Sequence, residues 1–208
     1  VSTQYTMTLL EELGILKMDF LGLRTLTVIR NACDEIKRIH GVEIDLENLN
    51  DKDQKVYDLI AQGKTEGVFQ LESNGMKSFM KDLQPNCIED LIAGISLYRP
   101  GPMDFIPKYV KGKKDKNSIT YTHPALKEIL EPTYGCIVYQ EQVMQIVRDL
   151  AGYSLGRSDL VRRAMSKKKA SVMAEERKNF IYGTEDKTVP GCIKNGIPED
   201  VAAKIFDE

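Results

Sequence analysis

No two cysteines of the sequence stand in a Cys-x-x-Cys spacing, for Cys33, Cys87, Cys136 and Cys192 are spread along the chain, and the only two histidines, His40 and His123, are far apart. Zinc sites need clustered thiolates and imidazoles, so this pattern argues against a zinc-organised fold. Four separate thiols read instead as small core or surface residues, at home in a reducing, cytoplasmic compartment. Long apolar runs are also missing. None approaches the roughly 20 residues of a membrane helix, and the chain does not open with a basic stretch followed by an apolar one, as a secretory leader does. No partner membrane is therefore expected. The net charge of −2 and a pI of 5.9 exclude a uniformly basic nucleic-acid coat. They leave room for a local basic site. Repeats are absent. What is present is an ordinary globular composition, 42% hydrophobic and 29% charged over 208 residues, enough for one large domain or two small ones.

Positive charge is gathered in one place. Between Arg157 and Lys169 stand Arg157, Arg162, Arg163, Lys167, Lys168 and Lys169, opposed only by Asp159. The stretch before it begins with a short apolar run, Cys136 to Tyr139, expected to be extended. Val143, Ile146, Val147 and Leu150 then recur at helical spacing up to Gly152.

Elsewhere the pattern is mainly helical. Ile15 to Phe20 alternates and reads as a short strand that carries Asp19. A helix is expected from Thr25 or Thr27 to His40, with Val28, Ile29, Ala32 and Ile36 inside and Gly41 as its stop. Asp51 is expected to cap a helix containing Val56, Leu59 and Ile60, and Gly67 to Leu71 to be extended. Ser73 is expected to cap a helix with Met76, Phe79, Met80 and Leu83 on its inner face. Asn86 is expected to cap another, with Ile88, Leu91, Ile92 and Ile95 inside. Arg99-Pro100-Gly101-Pro102 breaks the helical run. Lys111 to Ser118 reads as a polar loop, Pro124 as a helix start, Ala170 to Tyr182 as a helix, and Pro198 as the opening of the last one.

Few residues invite a chemical role. Gly63-Lys64-Thr65 fails as a phosphate loop, because Asp58 occupies the position of the required earlier glycine and a helix, not a strand, precedes it. Asp19 lies between Met18 and Phe20 after an apolar run. It either pairs with Lys17 or Arg24 or holds a metal, and composition alone favours the salt bridge. The basic cluster is either a solvated face or a clamp for a triphosphate or nucleic-acid backbone, since arginine matches phosphate oxygens two at a time and lysine acts as a compact charge. Tyr134, Tyr139 and Tyr153, near it in sequence, offer a possible stacking surface.

Several blocks together resemble a known family. Leu16-Lys17-Met18-Asp19-Phe20-Leu21-Gly22-Leu23-Arg24-Thr25-Leu26-Thr27 is similar to the end of the palm of bacterial DNA polymerase III alpha subunits, the C-family replicative polymerases. Gly67 to Ser73, Ser96 to Met103, Val138 to Met144 and Leu160 to Lys168 resemble parts of their fingers, and the blocks are closer to the DnaE type than to the PolC type. The resemblance runs in order along nearly the whole chain. Ser166 stands where the family more often has glycine.

The resemblance implies a mainly α fold: a palm remnant over residues 1–24 with a short β segment, then the N-terminal part of a helical fingers domain over 25–208. It implies template-directed nucleotidyl transfer from a deoxynucleoside triphosphate (dNTP) to a primer 3′ end in the full-length protein, with two magnesium ions held by palm carboxylates. Asp19 would be one of three catalytic aspartates and a metal ligand, and Lys17 would meet phosphate. Arg162, Arg163 and Lys167 would contact the triphosphate, and Tyr98 and Arg99 would belong to the nucleotide-side wall. Partners would be primer–template DNA, the dNTP, and other replicase subunits through parts of the polymerase not in this chain. The family's Asp-x-Asp pair and its Phe-Asn-Lys-Ser-His segment are likewise not in this chain, so the expectation is a fragment that neither binds the two ions nor extends a primer alone. The alternative is a non-catalytic, helical nucleic-acid-binding module.

Overall fold

The computed structural model describes residues 2–16, 18–166 and 170–208, with side chains for all of these except Thr8, Glu11 and Ser166. They are helical, with no β-strand among them, and the chain divides into two units, residues 1–50 and 51–208.

The first unit holds α1 (Met7–Glu12) and α2 (Arg24–His40). α2 stops where expected: Gly41 takes a left-handed φ of 67° and donates its N–H to the Lys37 carbonyl at 2.9 Å. Its start differs. Leu23 is the N-cap and makes no side-chain bond, so both candidate threonines fall inside the helix. None of α2 is buried, and Val28 and Ile29 are exposed. The periodicity states which face a partner would cover, not that one is there. The expected β segment over Ile15–Phe20 is likewise not formed among the described residues. Leu16, Met18 and Phe20 stand exposed. A strand exists through its ladder partner, and alternation alone supplies none.

The second unit is built from α3 (Gln54–Ala61), α4 (Asn74–Leu83), α5 (Ile88–Leu97), α6 (Ile106–Lys114), the short α7 (Lys127–Leu130), α8 (Gln140–Ala151), α9 (Leu155–Ser166), α10 (Ala170–Tyr182) and α11 (Glu199–Asp207). It has two hydrophobic cores. Ile60, Met76, Phe79, Met80, Leu83, Leu97 and Tyr109 form one between α3, α4, α5 and α6, joined by Cys136 and Val138 from the segment before α8. Ile146, Val147, Leu150, Val161, Phe180, Ile181 and Ile205 form the other, between α8, α9, α10 and α11. The residues that lead into α8 thus enter the first core, and its body packs into the second.

Local chemistry explains most boundaries and corrects some. Ser73 caps α4 by accepting the Met76 N–H at 3.2 Å, and all four expected inner residues of α4 are buried. α3 is capped by Asp53, which accepts from Lys55, rather than by Asp51; Tyr57 and Ile60 face in, while Val56 and Leu59 stay exposed. The run Gly67 to Leu71 forms turns, not an extended piece. α5 is preceded by Cys87 rather than capped by Asn86, and its phase differs from expectation: Asp90, Ala93, Gly94 and Leu97 are buried, while Ile88 and Ile92 are exposed. The helix is apolar nearly all round, so burial follows fit. Asp90 goes inside because Lys113 meets it at 2.9 Å, with the two side chains only 2% and 10% exposed. α6 runs on to Lys114 through the first half of the expected loop.

α8 ends at Gly152, whose φ of 79° needs the left-handed freedom of glycine. Cys136 and Cys192 are fully buried, and burial pushes their thiols up to about 11 and about 12, whereas Cys33 and Cys87 are half-buried; no disulfide joins them. No described helix is long and apolar enough to cross a membrane.

Candidate functional site

The basic stretch lies on α9, which begins at Leu155. Ser158 sits buried in its first turn, donating its hydroxyl to the Ser154 carbonyl at 2.9 Å. One turn further on, a single carboxylate organises two arginines. Oδ1 of Asp159 accepts from Arg162 Nε at 2.8 Å and Nη2 at 2.7 Å, and Oδ2 lies 2.7 Å from Arg163 Nε. The spacings i,i+3 and i,i+4 bring these side chains together on one face of the helix. The hydrogen bond from Arg162 holds the Asp159 carboxyl below the usual carboxylate range, so it stays ionised at neutral pH. The trio carries a net charge of +1. Arg163 is its exposed member, with 64% of its side chain open, while Arg162 is at 25%.

Arg162 is also held from outside the helix. Its Nη1 donates to Oε1 of Gln140, the first residue of α8, at 3.0 Å. The start of α8 is fixed in turn by Gln142. This buried amide accepts the backbone N–H groups of Val138 and Tyr139 at 2.9 and 3.0 Å, and donates to the Ile129 carbonyl at 3.1 Å and the Thr133 hydroxyl at 2.7 Å. In the sequence, Gln140 and Gln142 stand out only as part of the block Val138 to Met144. The available signal was a glutamine at the third helical position, which reaches back to the N-cap backbone. Asp159, counted there as a lone opposing charge, is the group that orients the arginines.

Arg157 belongs to a different arrangement. It pairs with Glu176 of α10 at 3.1 Å and lies 5.4 Å from the centre of the Tyr153 ring. The Tyr153 hydroxyl donates to the other Glu176 oxygen at 2.7 Å; burial, then Glu176, pushes its pKa upward. This charge ties α9 to α10. Nor do the tyrosines form a stacking surface: Tyr153 is buried in one core, while Tyr134 and Tyr139 pack half-buried against the other.

Tyr98 and Arg99 lie at the end of α5, beside the first core. The Tyr98 ring stacks on Phe79 with centroids 6.1 Å apart, and Arg99 Nε donates to the Ser96 carbonyl at 3.0 Å. Both line an open pocket with Gln70, Met76, Ile95 and Ser96. Tyr98 passes so close to α4 that a Cβ on Gly75 would stand 1.7 Å from its hydroxyl.

Of the candidate residues, α9 therefore brings Arg162 and Arg163 together. Asp19 is an exposed residue of the first unit. Lys17 and Lys167 lie outside the described residues. Among the described residues no three of His, Cys, Asp and Glu gather as a metal-holding group. A single carboxylate does not fit a pair of magnesium ions, which would need further ligands from elsewhere in a longer protein.

Fold and site define an all-helical module that displays an ordered arginine pair. The family described as bacterial DNA polymerase III alpha subunit finger domain matches residues 25–188. The DNA polymerase III subunit alpha of Borreliella burgdorferi is 48% identical over 207 residues, which is 100% of this chain and 17% of that protein. The protein of the same name from Staphylococcus aureus strain MRSA252 is 48% identical over 205 residues, 99% of this chain and 18% of that protein. The chain belongs to the bacterial DNA polymerase III alpha subunit finger-domain family. It spans less than a fifth of the length of these relatives.

Proposed function

We propose that the chain is the nucleotide-facing part of the fingers of a DNA-directed DNA polymerase, and that in the whole protein the α9 face receives the triphosphate of the incoming dNTP. The observation that carries this reading is the shared carboxylate. Asp159 pairs with two guanidinium groups on one face of α9 while leaving the trio net positive. Oriented donors lose less freedom on binding, and guanidinium forks match phosphate oxygens in pairs. Lys167, three residues beyond Met165's neighbour Ala164, would add a point charge at the end of the same basic stretch. The family resemblance supports Tyr98 and Arg99 as part of the nucleotide-side wall, Lys17 as a phosphate contact, and Asp19 as one catalytic aspartate. Primer–template DNA would be the second substrate. With a single such aspartate, the chain alone is expected to show no primer extension.

The test is steady-state incorporation by the full-length polymerase carrying Arg163→Ala. Loss of a charge-assisted hydrogen bond is expected to raise the dNTP KM about 10- to 100-fold. Weaker primer–template binding with an unchanged dNTP KM would point to a backbone-holding module instead. No change in either would make the basic face a solvated surface.

A further inference from the structure

We propose that Gln140 is a positioning residue for the arginine pair, and that Arg162 serves as the strut through which it acts. The inference rests on the reading of α9 as the triphosphate-facing helix. Both contacts of Asp159 lie within that helix, at i,i+3 and i,i+4. They orient the guanidinium groups relative to α9 and would turn with it if the helix rotated. The bond from Arg162 Nη1 to Gln140 Oε1 spans 22 residues of sequence and ends on α8. It refers the basic face of α9 to a second helix. The start of α8 is itself anchored by the four bonds of the buried Gln142. The chain of contacts therefore runs from Gln142, through the first turn of α8, to Gln140, Arg162, Asp159 and Arg163. Its last member is the most exposed of the arginine pair.

The identity of the residue at position 140 matters as much as its place. Arginine has donors only, so the atom that faces it must be an acceptor. An amide oxygen holds the guanidinium without cancelling its charge. A carboxylate in the same place would give the cluster two negative charges against two positive ones, and the +1 that attracts a triphosphate would fall to zero. Glutamine positions Arg162 while leaving the field of the site intact.

The experiment compares Gln140→Ala, Gln140→Met, Gln140→Glu, Arg162→Ala and Arg163→Ala in the full-length polymerase, with melting temperatures as a check on folding. Gln140 and Arg163 are exposed and Arg162 is half-buried on the helix surface, so these variants are expected to retain the fold. Gln140→Ala and Gln140→Met should each raise the dNTP KM about tenfold, with kcat at saturating nucleotide and primer–template affinity unchanged. The methionine keeps the length of the side chain and separates lost packing from the lost acceptor. Gln140→Ala should add nothing in an Arg162→Ala background. Gln140→Glu should also raise the KM, but with a flatter dependence on ionic strength than the wild type, because net charge rather than position has been lost. A dNTP KM within about twofold of wild type in Gln140→Ala, alongside a raised KM in Arg163→Ala, overturns the positioning role alone. Wild-type KM and salt dependence in Gln140→Glu overturn it too. An unchanged KM in Arg163→Ala overturns the triphosphate reading itself, and the inference falls with it.

Discussion

Asp90 is the most consequential residue that no motif announces. Its carboxylate is 2% exposed and meets Lys113 at 2.9 Å, and Oδ2 also accepts the Asn86 N–H at 2.9 Å. Lys113 donates as well to the Gln84 carbonyl at 2.8 Å, so one ammonium ties α6 both to α5 and to the end of α4. Replacing one partner of a buried pair leaves the other charge uncompensated, a loss of about 3–5 kcal/mol; replacing both by apolar residues often costs little. Lys113→Met is therefore expected to lower the urea midpoint strongly, and Asp90→Leu/Lys113→Met to recover most of the difference. Equal destabilisation by the single and double variants would show that packing rather than charge compensation dominates there. Arg157 makes a related point at the other core. It stands within the basic cluster of the sequence but is engaged with Glu176 and Tyr153, so a count of charges overstates the number that face outward.

At the scale of helices, the contact between α4 and the end of α5 depends on one missing side chain. Gly75 lies in the first turn of α4, and the Tyr98 hydroxyl occupies the space a Cβ would need. Gly75→Ala gains about 1 kcal/mol of helix preference. It loses about 1–3 kcal/mol through overpacking, because the stiff ring must leave its place on Phe79. The balance predicts a destabilisation of up to about 2 kcal/mol and an altered near-ultraviolet circular dichroism of the tyrosines, partly reversed by Tyr98→Phe, which removes the hydroxyl. An unaltered spectrum with higher stability would mean that the ring yields freely. Elements of this kind divide into those legible in the sequence and those that are not. The inner face of α4, the body of α8 and its end at Gly152 follow from spacing and a cap, which are local. The face of α5 did not, because its apolar residues surround the helix and the choice was made by Gly94, which lets Met80 and Leu83 approach, and by a lysine sixteen or more residues away. The strand over Ile15–Phe20 failed for the complementary reason, since its pattern requires a partner that local sequence does not contain. In the site, the concentration of basic residues was plain. Its division into a held Arg162, an exposed Arg163 and an Arg157 turned to α10 was not, because it depends on Gln140 and Glu176, which lie distant in sequence.

For the molecule as a whole, burial is unevenly shared. Every buried residue among those described lies between Tyr57 and Ile205, and both cores fall within the second unit. A chain shortened to residues 51–208 is therefore expected to melt cooperatively within a few degrees of the full 208 residues. Loss of the transition would show that the first fifty residues contribute to stability beyond what they bury. The distribution of thiols follows the same division and has a practical consequence. Cys136 and Cys192 are sealed within the cores and their pKa values are raised, so they are poor nucleophiles at neutral pH. Cys33 and Cys87 are partly open, and one falls in each unit. Maleimide spin labels would attach to these two first, and the chain, with no residue replaced, would carry its own molecular ruler from the first unit to the second.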